Sequence, residues 1–255
     1  MSLALQNVIQ APVGDSVMGV HVFGPNSTQL IKAVIVLMFP RSGMDGFPQR
    51  IAHELAESGF VIFVPDITHR APGDVPIRDR KRLLTDDGVI EDIGAVLSLV
   101  EKSASRDKPR FIMGHCMGGR NALLGASVYD FAGVVTLYGG EMFDAWGGST
   151  TPFMRLQNIK CPVLGFFGGK DKNPSPADAE RIDQELSRAD IEHRFETYEN
   201  VGHAFQQNAA RSPEERQAAD DSTRKVIGFL LEQCARQFEI SRGGSTGLAS
   251  NVGIE

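Results

Sequence analysis

Three short runs carry residues able to do covalent chemistry. Gly114-His115-Cys116-Met117-Gly118-Gly119 follows the apolar run Phe111-Ile112-Met113 and precedes a helix-like stretch from Arg120. This strand, sharp turn and helix is the pattern of a nucleophile elbow, with Cys116 where a serine more often stands. The neighbouring glycines have a mechanical reason, because strand and helix must approach closely around a strained tip. Asp171 lies in Gly168-Gly169-Lys170-Asp171, after the apolar Pro162–Phe167 run, and His203 lies in Glu199-Asn200-Val201-Gly202-His203. The order nucleophile, acid, histidine is that of the α/β-hydrolase triad. Each residue alone has a plainer reading: a small buried thiol, a turn aspartate, a loop histidine. All three at strand ends, in this order and beside glycines, point to a triad. His203 would take the thiol proton, and Asp171 would hold the imidazole in the right tautomer. The thiolate would then attack an ester-type carbonyl, with oxyanion donors expected at the amides of Met117 and Arg41, since Pro40 has no N–H.

Residues of this kind need a sheet to hold them. Ala33–Phe39 and Phe60–Val64 are unbroken apolar runs, which suits strands covered on both faces. Between them Phe47, Ile51 and Leu55 recur at helical spacing up to Gly59, so a strand, crossover helix and parallel strand are expected. Thr85–Ser103, Pro176–Ala189 and Pro213–Phe238 read as further helices, and Phe131–Tyr138 and His193–Tyr198 as further strands. Asn7–Gln10 and Val17–Phe23 flank a Gly-Asp turn and suggest an antiparallel hairpin. His69–Arg82 reads as an irregular, basic surface segment, and Glu141–Asn158, with the single tryptophan Trp146, as a long loop over the active face. The expected architecture is one mostly parallel, doubly wound α/β sheet with an N-terminal antiparallel hairpin, spanning 1–238. Residues 239–255 are Gly/Ser-rich and expected to form a disordered tail.

Composition narrows the partners. The net charge of −6 argues against nucleic acid. The longest apolar run is too short to cross a bilayer, and the first residues lack the basic start and apolar stretch of a signal peptide. Three cysteines, Cys116, Cys161 and Cys234, make no disulfide framework and fit a reducing cytoplasm. No Cys/His spacing suggests zinc; His53, His69 and His193 stand alone.

The motifs GHCMGG, PVLGFFGGKD and ENVGHAF, with the chain from about Ala33 to the closing helix, resemble the dienelactone hydrolase family. The resemblance implies an α/β-hydrolase fold, the three catalytic roles above and hydrolysis of a small-molecule lactone or related ester, with no cofactor or metal. The chain departs from the family's best-known members in two places. Their loop after the first central strand carries a Glu that engages the resting Cys; here it reads FPRSGMD, with Arg41 near that position. Their substrate-binding Arg four residues past the histidine is here Gln207, and a second family Arg aligns loosely with Arg78, Arg80 or Arg82. Arg41, Arg78, Trp146, Phe205 and Gln207 are therefore the expected substrate contacts, with Met44 as a further pocket wall. Two alternatives share these residues: a thioesterase or acyl transferase on the same triad, and a non-catalytic, redox-responsive binding protein that keeps a reactive Cys116.

Overall fold

The computed structural model describes residues 5–25, 31–208 and 210–243. Alternating strands and helices assemble into one eight-stranded sheet with helices packed against it. In chain order the strands are β1 (Leu5–Val13), β2 (Ser16–Gly24), β3 (Ala33–Met38), β4 (Phe60–Pro65), β5 (Arg110–His115), β6 (Gly133–Leu137), β7 (Val163–Gly168) and β8 (His193–Tyr198). Their spatial order is β1-β2-β4-β3-β5-β6-β7-β8. From β4 to β8 all neighbours run parallel, whereas β1 pairs with β2, and β2 with β4, antiparallel. The expected hairpin is present and longer than the apolar alternation indicates: it pairs from Leu5↔Gly24 to Val13↔Ser16.

Every residue of β3, β4, β6 and β7 is buried, which is why these strands read as unbroken apolar runs. The helices are α1 (Gly46–Glu57), α2 (Ile77–Arg80), α3 (Asp86–Glu101), α4 (Met117–Ala126), α5 (Pro152–Arg155), α6 (Pro176–Arg188) and α7 (Pro213–Gly243). Side-chain caps begin several of them. Asp45 accepts from the Phe47 amide at α1, and Thr85 from the Gly88 amide at α3. At α6, Ser175 and Asp178 form a reciprocal capping box.

Two segments expected to be irregular contain ordered turns. Within His69–Arg82, Pro76 starts α2 and a 3-10 turn follows at Lys81–Leu83. Within Glu141–Asn158, Thr151 and Pro152 start α5, followed by a 3-10 turn at Leu156–Asn158. Both are single turns, too short to show a helical repeat in the sequence. The closing helix also passes its expected end at Phe238 and runs to Gly243; the rest of the expected tail lies outside the described residues.

β3 has β4 on one side and β5 on the other, so successive crossovers leave it in opposite directions. Such a switch point opens a crevice beyond the carboxyl ends of the two strands. The loop of Pro40 and Arg41 leaves β3 there, and Cys116 leaves β5.

Candidate active site

Cys116 stands between the last residue of β5 and the first of α4, with φ 55° and ψ −122°. A side chain in that backbone region is strained by about 1–3 kcal/mol and persists only where its surroundings impose it. Here the surroundings do. A Cβ on Gly118 would lie 2.0 Å from the Met38 carbonyl oxygen, and one on Gly114 2.2 Å from that of Gly118. Only glycine lets β3, β5 and α4 meet this closely, and their contact drives the Cys116 thiol up into the crevice. Met117 is the first residue of α4, where amides have no acceptor within the helix.

The acid and the histidine arrive on adjacent loops. The Gly169 amide donates to the Tyr198 carbonyl (2.9 Å), and that of Lys170 to the Val201 carbonyl (2.9 Å). These bonds stitch the loop after β7 to the loop after β8. The stitching sets Asp171 Oδ2 2.8 Å from His203 Nδ1, while the other carboxylate oxygen accepts from the Asn173 amide at 2.9 Å. His203 Nε2 lies 2.9 Å from Cys116 Sγ. Asp171 is buried and His203 half-buried, with the Tyr138 ring 5.3 Å away, edge-on to the imidazole. Burial works against a charged imidazole. The bonds to Asp171 and Cys116 and the negative charge of both outweigh it, and the His203 pKa is pushed up to about 10.

His115, adjacent in sequence to Cys116, faces the other way. It is buried, with Nε2 2.8 Å from Gln206 Oε1. Burial holds it down at about 4, against the bond to Gln206, so it stays neutral.

A cleft of about 410 Å³ opens over the thiol. Of the expected substrate contacts, Arg41 and Trp146 line it; Arg78, Phe205 and Gln207 do not. Arg78 points into solvent, 81% exposed, and contributes only its carbonyl, which accepts from Arg41 Nε at 2.9 Å. Phe205 is fully buried between Tyr138 and Tyr198, with ring centroids 5.1 and 5.3 Å away. The turn after His203 swings Gln207 onto a separate surface cleft beside Arg50 and Glu54. Met44 is half-buried against the core and does not border the cleft.

Lys81, Glu141 and Arg120, none of them expected, line the cleft as well. Lys81, on the 3-10 turn, bonds the Glu141 carboxylate across the cleft, and its Nζ stands 5.4 Å from the Trp146 ring. Glu141 keeps a left-handed backbone (φ 55°); Asn173 Oδ1 accepts from its amide at 2.9 Å, and its carbonyl accepts from Arg120 Nε at 3.1 Å. No local pattern marks Lys81 and Glu141 as partners. Arg120 has a local signal: it is a charged residue at the start of a helix whose other residues, Asn121 apart, are apolar or glycine.

Arg41 and Lys172 are exposed at the cleft and carry no carboxylate partner among the described contacts, so its walls bear an excess of positive charge. Among the described residues no group of three or more His, Cys, Asp or Glu is placed to hold a metal ion, and no helix is long and apolar enough to cross a membrane.

Comparison with known proteins bears on the family and the fold. The sequence pattern of the dienelactone hydrolase family matches residues 18–234. A carboxymethylenebutenolidase of Rhodococcus opacus is 28% identical over 206 residues, covering 77% of this chain and 79% of the relative. A Klebsiella pneumoniae structure assigned as a dienelactone hydrolase superposes with a TM-score of 0.80 at 19% identity, covering 90% of this chain and 99% of the other. A dienelactone hydrolase-like promiscuous phosphotriesterase from metagenomic libraries gives 0.76 at 16% identity, over 91% and 99% of the two chains. At these identities the two structures speak for the α/β-hydrolase fold alone.

Proposed function

The chain belongs to the dienelactone hydrolase family of carboxylic ester hydrolases, and on that premise we propose that it opens lactones or small esters through a thioester on Cys116. The observation that carries the reading is His203, within hydrogen-bond reach of Cys116 Sγ on one side and Asp171 on the other. The Cys116 thiolate attacks the carbonyl carbon, and the displaced electron pair forms an oxyanion facing the amides of Met117 and Arg41. When the oxyanion collapses, the carbon–oxygen bond of the ester breaks, and the leaving oxygen takes a proton from His203. Water then gives a proton to His203 and attacks the thioester; the carbon–sulfur bond breaks and releases the acid. Asp171 holds the imidazole and offsets its charge throughout.

The positive excess from Arg41 and Lys172 favours an ester that also carries an anionic group. With its cysteines free, the protein suits a reducing compartment, and we assign it to the cytoplasm.

The test is hydrolysis of p-nitrophenyl acetate, a lactone panel and an acyl thioester by wild type, Cys116→Ala and His203→Ala. We expect lactone and aryl-ester turnover, an acyl adduct on Cys116 and loss of activity in both variants. Equal rates in wild type and Cys116→Ala would remove Cys116 as nucleophile, and retained activity in His203→Ala would break the triad. Turnover of the thioester alone would move the substrate class to thioesters.

A further inference from the structure

Arg120 is a fully buried cation four residues past Cys116, and its own amide donates to the Cys116 carbonyl at 3.2 Å. A guanidinium has five N–H donors. Here they meet five acceptor contacts inside the protein. Nε donates to the Glu141 carbonyl (3.1 Å), and Nη2 to the Asp144 carbonyl (2.6 Å). Nη1 and Nη2 grip the two oxygens of Asp86 (2.6 and 3.2 Å), and Nη1 also reaches Asn121 Oδ1 at 3.5 Å. The guanidinium carbon sits 3.6 Å from the centroid of the Trp146 ring. No donor remains for a substrate.

Asp86, the first residue of α3, completes the fastening. Its Oδ2 accepts from the Trp146 amide at 3.1 Å, and its own amide donates to the Trp146 carbonyl at 2.8 Å. The next residue, Gly147, has φ +77°, and a Cβ there would meet Thr85 Cγ2 at 2.6 Å. The segment from Glu141 to Gly147, which forms one wall of the cleft, is thus tied at once to the elbow helix and to the start of α3.

Burying an ion pair is a poor way to gain stability, since apolar side chains of similar volume often serve as well. Apolar side chains cannot, however, give direction to two carbonyls and an indole. We infer that Arg120 is a positioning residue: directly and through Asp86 it sets Trp146, and by its own bond it sets the Glu141 backbone, at a fixed place relative to Cys116, and so sets which ester fits the cleft. The inference rests on the reading of Cys116 as an ester hydrolase nucleophile. Arg120 acts on binding; the sulfur chemistry belongs to His203 and Asp171.

Trp146 is the only tryptophan of the chain, so its fluorescence reports on this wall directly. Lysine at 120 keeps the charge but loses the fork and the flat stacking surface. In Arg120→Lys we expect red-shifted emission, stronger acrylamide quenching and a KM for p-nitrophenyl acetate raised roughly tenfold, with kcat within about threefold of wild type. Alkylation of Cys116 by iodoacetamide should keep its wild-type rate. Unchanged emission with unchanged KM would overturn the inference. So would a joint loss of kcat and alkylation rate, because Arg120 would then act through the elbow and not the wall. Should Arg120→Lys fail to fold, Asp86→Asn decides: red-shifted Trp146 emission with a raised KM and kcat retained supports the inference, and unchanged emission with unchanged KM overturns it. Emission and alkylation need no turnover. A wild type without esterase activity would therefore sink the proposed reaction and leave the Arg120→Lys emission to decide whether Arg120 holds the wall.

Discussion

The buried His115 makes a prediction whose size can be worked out. Its ring lies 4.9 Å from the Phe47 ring, and its Nε2 meets Gln206 Oε1, whose amide nitrogen in turn donates to Ser222 Oγ at 2.8 Å. Burial lowers its pKa to about 4 in the folded protein, whereas in the unfolded chain it returns to roughly 6.5. Between these values the unfolded chain binds a proton that the folded protein refuses. Stability is therefore complete above about 6.5 and falls as the pH falls through this window. The ratio of the two binding polynomials puts the loss at about 2 kcal/mol by pH 5 and about 3 kcal/mol by pH 4. His115→Gln retains an amide able to bond Gln206 and cannot titrate. Urea unfolding followed by Trp146 fluorescence, run from pH 7 to pH 4, should therefore show a steeper fall in wild type than in His115→Gln by that amount. The carboxylates common to both proteins cancel in the comparison. Parallel curves would mean that the His115 proton is bound equally in both states, and the burial argument would fail.

Burial pushes the thiol of Cys161 up to about 12 and that of Cys234 up to about 11, so iodoacetamide near neutral pH should label Cys116 alone. Peptide mass spectrometry checks this, and label on Cys161 of the folded protein would contradict it; His203→Ala should slow the Cys116 reaction at least about tenfold. Gly118→Ala forces a methyl group into the Met38 carbonyl and should cost at least about 3 kcal/mol with loss of activity; a wild-type melting temperature would refute the close approach of β3 and α4. Arg78→Ala should leave the KM for a carboxylate-bearing ester within about twofold, because only its carbonyl is used, while Lys81→Met should raise it severalfold. The reverse ranking would restore Arg78 as the substrate contact.

Legibility in the sequence followed the range over which each feature is determined. Cys116, Asp171 and His203 each sit in a short run whose own glycines and apolar neighbours announce a strand end and a tight turn. The central strands could be read because burial on both faces removes polar residues from them altogether. Phe205 and Gln207 were beyond reach for the opposite reason. They lie two and four residues past His203 in one turn, and only packing against Tyr138 and Tyr198 decides that Phe205 enters the core. The cleft wall is likewise non-local. Lys81 finds Glu141 sixty residues away, and Arg120 finds Asp86 thirty-four residues back. Such pairings depend on which loops meet at the switch point, and no periodicity records them.

The same division bears on how a thiol works here without the family's Glu in the loop after β3. The groups that raise His203 include Cys116 itself, through its bond and its charge. While the sulfur is free, His203 therefore holds its proton beside it, and Asp171 stabilises the cation from the far side. Once the sulfur is acylated it can neither carry charge nor receive that bond. Burial, which lowers the imidazole pKa, is then opposed by Asp171 alone. The pKa of His203 must fall in the acyl-enzyme, at the stage where the proposed mechanism needs a base for water. On this reasoning one residue serves as stored acid before acylation and as base after it, and the change is driven by the chemistry of its neighbour. Arg41, facing the cleft near the position of the family's loop Glu and without a carboxylate partner among the described contacts, is free to meet an anionic part of the substrate.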